Sequence, residues 1–395
     1  MQIDLIEETQ KSFSKKEIKD DLAIKLSQYH EKLDLVWPNP TNDFNYKIKS
    51  KGWVGYIPID KESIISIKPK APLKNIFGML EYAYKLKSLN FLDGSVPLDN
   101  LNELFEELAA LLCKQIISRL KKGLYGDYIN REEDTNFVRG RINITETIKN
   151  FNNGLPKVNC NFQEHLTDLE DNQILLWTVY ILSRTKLEKE RVRKLVKQAY
   201  RGLIQRVSLD RKTAINCMNR IYHRMNIDYK PMHILCRFFL ENIGPNIGGG
   251  KKDFIPFILN MPHLFENFVA AWLKKHSPEN ISVIDQHKVN LNPNGSLSFR
   301  IDIVLRDTLT NKTLCVLDTK YKINENPNES DIAQITAYAA EQKCNHGFLI
   351  YPSSNVKETS AFPGDIKINT IIFDISRNID EAGSDFLNSL LNKIN

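Results

Sequence analysis

Phe299-Arg-Ile-Asp302-Ile-Val-Leu305, followed across a polar turn by Leu314-Cys-Val-Leu-Asp318-Thr-Lys320-Tyr321-Lys322, is the stretch that decides how this chain reads. Each run is apolar and β-branched, as a buried strand should be, yet each carries one carboxylate, and the second adds a lysine two residues later. Side chains alternate faces along a strand, so Asp302 shares a face with Arg300 and Val304, and Asp318 shares one with Val316, Lys320 and Lys322. If the two runs pair as neighbours, both aspartates and Lys320 converge. Converging carboxylates repel unless a cation lies between them, and two such oxygen ligands plus water suit a hard ion such as Mg²⁺. A nearby ammonium can orient a water or stabilise charge developing on a phosphate. The alternative is a salt-bridge cluster at a sheet edge, although apolar strands seldom place three charges on one face without a chemical use.

The pattern around these strands is helix over 264–276, strand over 281–285 and on toward 291, the two acidic strands, helix over 331–343, and strands over 347–351 and 370–374. This order predicts an α/β domain with a mixed sheet flanked by helices, in a chain that is α+β overall. Glu266 falls in the first turn of the opening helix, and Gln334 and Tyr338, four residues apart, share a face of the later one.

Upstream, Ser14-Lys-Lys-Glu17 has capping-box spacing and predicts a helix through Leu22, Ile24, Leu26 and Tyr29. Strand-like runs at 45–49, 53–59 and 64–67, broken by Gly52, Gly55, Asp60-Lys61 and Pro69, predict a small antiparallel sheet or partial barrel. Helices follow over 73–86 and 101–122. Residues 125–143 lack a clear period and contain Val138-Arg139-Gly140-Arg141-Ile142, which fits a basic surface turn or a contact to phosphate or carboxylate. Residues 166–225 read as mostly helical. The expected divisions are a β-rich and helical region over 1–150, a basic helical region over 151–258, and an α/β domain over 259–395.

Composition narrows the class. The chain has 395 residues, 42% hydrophobic and 26% charged, which fits two or three globular domains rather than a disordered protein. No basic segment with an apolar h-region opens it, and no run of about 18 apolar residues occurs, so it reads as cytoplasmic with no membrane contact. Six cysteines without a CxxC pair indicate buried thiols, not a zinc ribbon or a disulfide framework. The net charge of +6 is unevenly spread: over 184–224, thirteen Lys or Arg stand against three acids. Such a stripe fits either nucleic-acid backbone contact or a solvated helical face. Gly244-Pro-Asn-Ile-Gly248-Gly-Gly250-Lys-Lys252 looks like a phosphate loop but fails Walker A spacing, with Pro245 where the first glycine belongs and Lys252 in place of Ser or Thr. No nucleotide is expected on this chain.

The series Glu266, Asp302, Asp318-Thr-Lys320 and Gln334-xxx-Tyr338 resembles the PD-(D/E)xK nuclease pattern with its helix-borne Glu and QxxxY helix. The fuller wording is similar to McrC, the nuclease subunit of McrBC modification-dependent restriction systems: His263-Leu-Phe-Glu-Asn-Phe-Val269, Arg300-Ile-Asp302, Leu317-Asp-Thr-Lys-Tyr-Lys322, Asp331-Ile-Ala-Gln334 and Leu349-Ile-Tyr-Pro352. Ile67-Lys-Pro-Lys70, Gly78-Met-Leu-Glu-Tyr82 and Arg139-Gly-Arg-Ile142 extend the resemblance upstream. One departure is Ile301, where the family usually has proline. The resemblance implies a restriction-endonuclease-like C-terminal domain in which Asp302 and Asp318 hold Mg²⁺, with Mn²⁺ as a substitute. It implies that Lys320 positions water or stabilises charge, that Glu266 assists as a further acid, and that Gln334 and Tyr338 orient the site or touch DNA. It further implies a DNA endonuclease partnered with an AAA+ GTPase, McrB, that recognises modified DNA and is stimulated by the N-terminal part, with Arg139 and Arg141 as possible contacts. The alternatives are a similar nuclease in a system recognising an unmodified sequence, and a non-catalytic DNA-binding adaptor.

Overall fold

The computed structural model describes residues 2–58, 64–84, 101–242, 257–290, 292, 298–322, 326–353, 355–356 and 359–394. The glycine-rich stretch from Gly244 to Lys252 and the Asp60-Lys61 break lie outside the described residues. The chain forms two compact units, one of Met1–Asn102 with Asn242–Asn395 and the other of Glu103–Glu241. These limits differ from the expected 150 and 258, because the N-terminal segment builds one body with the C-terminal α/β segment.

The first segment contains β1 (Gln2–Ile6), β2 (Lys11–Phe13), α1 (Asp20–Ser27), β3 (Leu33–Val36), β4 (Tyr46–Ser50), β5 (Trp53–Pro58), β6 (Ile64–Lys68) and α2 (Leu73–Ala83). The three expected strands do not share a single sheet. β4 joins β2 and β3, whereas β5 and β6 belong to a four-stranded sheet ordered β1, β6, β5 and then residues 257–260. The split occurs at Gly52, whose φ of 69° is a left-handed turn conformation. Ser14 and Glu17 do exchange the reciprocal bonds of a capping box, with Ser14 N–H donating to Glu17 Oε2 at 2.7 Å. They close an isolated turn, however, and α1 begins later, after Lys19. α2 is fastened to the C-terminal segment. The amide of Asn75 donates to the carbonyls of Ile375 (2.6 Å) and Arg377 (3.0 Å), and a Cβ at Gly78 would lie 2.4 Å from Ile379.

The second unit holds most of α3 (Leu101–Lys122), β7 (Asp127–Thr135), β8 (Arg141–Ile142), α4 (Ile144–Asn152), β9 (Val158–Leu166), α5 (Glu170–Ser183), α6 (Glu190–Ile204) and α7 (Tyr229–Asn242). The stretch read as irregular is largely a nine-residue strand, paired antiparallel to β9 from Asp127↔Leu166 to Thr135↔Val158. Its sequence, DYINREEDT, carries no period-two apolar signal because almost every position is exposed. Helix covers only part of 166–225: after α6 the chain runs through turns and a short 3₁₀ segment at Ala214–Cys217. That loop is pinned by Arg220, which bonds Glu170 and Asp171, each at 2.7 Å.

The C-terminal segment runs β10 (Phe257–Asn260), α8 (Met261–His276), β11 (Ile281–Asn290), β12 (Ser298–Asp307), β13 (Thr313–Thr319), α9 (Glu329–Glu341), β14 (His346–Tyr351), β15 (Ser360–Ala361), β16 (Lys367–Ile372) and α10 (Ile379–Ile394). β10 pairs antiparallel with β5, which ties this segment to the N-terminal one. The central sheet is ordered β11-β12-β13-β14-β16-β15. It is mixed, as the sequence pattern predicts: β11, β12 and β13 are antiparallel neighbours, whereas β13, β14 and β16 run parallel. Helices α8, α9 and α10 pack on it. Phe265, Phe268, Trp272, Phe373 and Phe386 are all essentially buried. Ile335, Ala339 and Tyr338 of α9 join Val304, Val316 and Leu349 in another apolar cluster. Burying such side chains contributes roughly 1.5–3 kcal/mol each, enough to hold polar groups in the sheet between them.

Candidate active site

The site is built where β12 and β13 lie side by side. Ile303 pairs with Leu317 and Val304 with Val316, and the same register continued by one residue sets Asp302 opposite Asp318. Asp318 is only 2% exposed. Asp302 is fixed by the residue after its neighbour: Thr319 donates its N–H (2.8 Å) and its hydroxyl (2.9 Å) to Asp302 Oδ2. Thr319 was visible only as the middle letter of Asp-Thr-Lys, and nothing in its spacing marked it as a second clamp.

Lys320 sits at the centre of a polar network. Its Nζ lies 2.8 Å from Asp318 Oδ2, 3.6 Å from Asp331 Oδ1, and donates to Gln334 Oε1 at 2.9 Å. The 2.8 Å approach makes Lys320 the ion-pair partner of the buried Asp318 Oδ2. Gln334 in turn donates to the hydroxyl of Tyr338 (2.6 Å), and the Tyr338 ring stacks on Phe299 with centroids 4.9 Å apart. The four-residue spacing on α9 thus becomes a relay that holds the lysine. Asp331, to which the sequence pattern gives no role, is a further member. It is 5% exposed, caps α9 with Asn328, and bonds Lys322 at 2.8 Å.

The carboxyl groups are perturbed. Burial, then the charges of Asp318 and Glu266, push the Asp302 pKa up to about 7. Asp318 is also raised, by burial first, against the pull of Lys320 and with Asp331 and Glu266 adding repulsion. Burial lowers the Lys320 pKa, but Asp318, Asp331 and Asp302 more than offset this and hold it above its ordinary value.

Glu266 stands beside this network rather than inside it. Its Oε1 accepts from the Gln286 amide, and Oε2 lies 3.8 Å from His263 Nδ1. Gln286 is the β11 residue between the pairs Asp285↔Ile303 and His287↔Ile301, at the register position opposite Asp302. Its φ of 50° is an unusual left-handed conformation for a glutamine. The His263 contact follows from i, i+3 spacing on one helix, whereas the Gln286 contact had no sequence signal.

Do these residues suit a metal? Among the described residues no group of three or more His, Cys, Asp or Glu side chains is assembled as a metal cage. Two carboxyls side by side on adjacent strands, both raised by burial and by neighbouring carboxylates, nevertheless fit a hard divalent ion completed by water and substrate oxygen.

In the second unit, Arg139 lies over the Phe162 ring (4.1 Å) and reaches Glu164 Oε1 at 3.4 Å, while Arg141 is exposed. Gly140 lies between them with a φ of 72°, where an added Cβ would meet the Asn161 carbonyl at 2.5 Å.

Among the described residues no helix is long and apolar enough to cross a membrane. Comparison with known proteins gives a consistent picture. The chain is 24% identical over 271 residues to the type IV methyl-directed restriction enzyme EcoKMcrBC of Escherichia coli K12, spanning 64% of this chain and 74% of that protein. Its fold matches a chain in the refined half-complex from the tetradecameric assembly of Thermococcus gammatolerans McrB AAA+ hexamers with bound McrC, with a TM-score of 0.56, 21% identity and full coverage of both chains. Residues 48–352, which include β12, β13 and the helix bearing Gln334 and Tyr338, match the model of the McrBC 5-methylcytosine restriction system component, and the chain belongs to that family.

Proposed function

We propose that this chain is the Mg²⁺-dependent DNA endonuclease subunit of a McrBC-type restriction system, a McrC-type partner of an AAA+ GTPase that recognises modified DNA. The observation that carries the reading is the meeting of Asp302 and Asp318 on two neighbouring strands with Lys320, just past the end of the second, and with both carboxyls raised. Asp302 and Asp318 would hold the ion, which supplies Lewis-acid stabilisation of a phosphodiester oxygen and a more acidic water. Lys320, held by Gln334, presents a cation where negative charge grows on the scissile phosphate. Tyr338 keeps Gln334 in place, and Thr319 keeps Asp302 turned toward Asp318.

Two surfaces of the second unit suit the remaining parts of this role. On α6, Val192, Val196, Ala199 and Leu203 face the core, which turns Lys194, Lys197 and Arg201 to solvent. Lys194 pairs with Glu190 at 3.0 Å; among the described residues Lys197 and Arg201 have no acidic partner, and they suit a DNA backbone. The β7–β9 ribbon with α4 exposes Phe137, Val138, Ile144, Ile148 and Phe151 beside Arg139 and Arg141, a mixed apolar and basic surface fitted to a protein partner.

The test is cleavage of modified plasmid by purified chain with Mg²⁺, with and without the AAA+ partner. Asp318→Ala and Lys320→Ala should abolish cutting while stimulation of the partner's GTPase survives. Loss of both activities together in a folded variant would overturn the assignment.

A further inference from the structure

The lysine of the candidate site is carried on a tight turn. Lys322 N–H donates to the Lys320 carbonyl at 2.8 Å, an i to i+2 bond that closes a three-residue γ-turn with Tyr321 at its apex. The two lysines go one way, Lys320 to Asp318 and Gln334, and Lys322 to Asp331. Tyr321 goes the other way. Its ring lies against Phe265 (5.9 Å), and its hydroxyl donates to Glu7 Oε2 at 3.3 Å.

Glu7 follows β1, in the N-terminal segment, and is fully buried. Its N–H donates to the Lys68 carbonyl at 2.8 Å, and Oε2 also accepts from the Lys70 N–H at 3.2 Å. Oε1 meets no donor. A buried carboxyl with one oxygen unsatisfied is costly, and an apolar side chain of similar size would fill the space at less cost. Its pKa, raised by burial to about 7, reflects the same strain. What an apolar residue could not do is accept from the Tyr321 hydroxyl and the Lys70 N–H together.

We propose that Glu7 is a positioning residue for the nuclease site: by holding the Tyr321 hydroxyl it sets the γ-turn that aims Lys320 at Asp318. The inference rests on the nuclease reading above for its catalytic consequence, but the geometric claim can be tested apart from it.

The variants are Tyr321→Phe, Glu7→Gln and Glu7→Ala in the full chain. The first readout is acetylation of Lys320 under limiting acetic anhydride, followed by mass spectrometry, with Lys312 as the internal exposed reference. Tyr321→Phe and Glu7→Ala should raise Lys320 labelling about fivefold as the ammonium leaves its carboxylate, and Glu7→Gln, which keeps the acceptor, should stay near wild type. The second readout is plasmid cleavage with Mg²⁺ and the partner. Tyr321→Phe should lower kcat about tenfold with KM unchanged, and Glu7→Ala/Tyr321→Phe together should cost no more than either alone. Unchanged Lys320 labelling in folded Tyr321→Phe overturns the proposal, as does altered labelling with wild-type kcat. Where Glu7→Ala does not fold, Tyr321→Phe, which removes one hydroxyl, decides the matter. If the wild-type chain does not cut, the nuclease reading fails and labelling alone judges the turn.

Discussion

The β12–β13 pair and the β7–β9 pair are both antiparallel and both set acids beside bases, but only the first buries them. Lys320 and Asp318 have side chains 17% and 3% exposed, whereas Arg131 and Glu164, 3.0 Å apart across the ribbon, are 41% and 28% exposed. The difference is chemical. In a low-dielectric setting charges shift one another's proton affinity and can be turned on a substrate, whereas in water the same pair is screened and carries little energy.

The strongest way to break this contrast is at the buried pair. On the proposed nuclease function, removing either Asp318 or Lys320 by alanine should reduce cleavage by about a thousandfold or more, measured as single-turnover plasmid cutting, because the proposal has both acting on charge at the reacting phosphate. A buried carboxylate with a raised pKa should also penalise the fold. The Asp302 contribution is fully present below its ordinary value of 3.8, where the group is neutral in both states, and is lost as pH rises through about 7. Metal-free protein should therefore lose stability across that window. Asp302→Asn should be more stable than wild type by roughly 1–3 kcal/mol at pH 8, and the gain should vanish at pH 4. Urea denaturation at the two pH values checks it, and an equal gain at both would contradict the burial argument.

A milder effect is expected at the exposed basic face. Lys197→Glu with Arg201→Glu should weaken binding to unmodified duplex DNA about tenfold and lower the salt-dependence slope by about two. Fluorescence anisotropy across a salt series measures both, and an unchanged slope would assign α6 a merely solvated role. The smallest effect belongs to the ribbon. Arg131→Ala should leave the melting temperature within roughly 2 °C of wild type, since an exposed ion pair contributes little. A larger drop, seen by calorimetry, would mean that the ribbon's charges matter more than their exposure suggests.

How much was legible differs by region for the same reason. The acidic strands, the mixed order of the C-terminal sheet and the α9 pairing of Gln334 with Tyr338 could be read because buried strands and amphipathic helices print their period in the sequence. The ribbon could not, because a two-sided exposed strand prints none. The N-terminal strands were located, but their division between two sheets depended on β10, a partner some 200 residues away. The capping box forms one turn before α1, which begins after Lys19.

The sequence by itself determined the chemical kit of this protein: two carboxylates and a lysine at strand spacing, and a Gln and Tyr at helix spacing. Those are local facts, written in the two periods of the backbone. Tertiary structure decided who steadies whom. It set Thr319 on Asp302, Asp331 beside Lys320, Gln286 on Glu266, and Glu7 on Tyr321 across more than 300 positions of chain. Such contacts carry no spacing signal, because they are fixed by which elements pack together and by the need of each buried polar group for a partner.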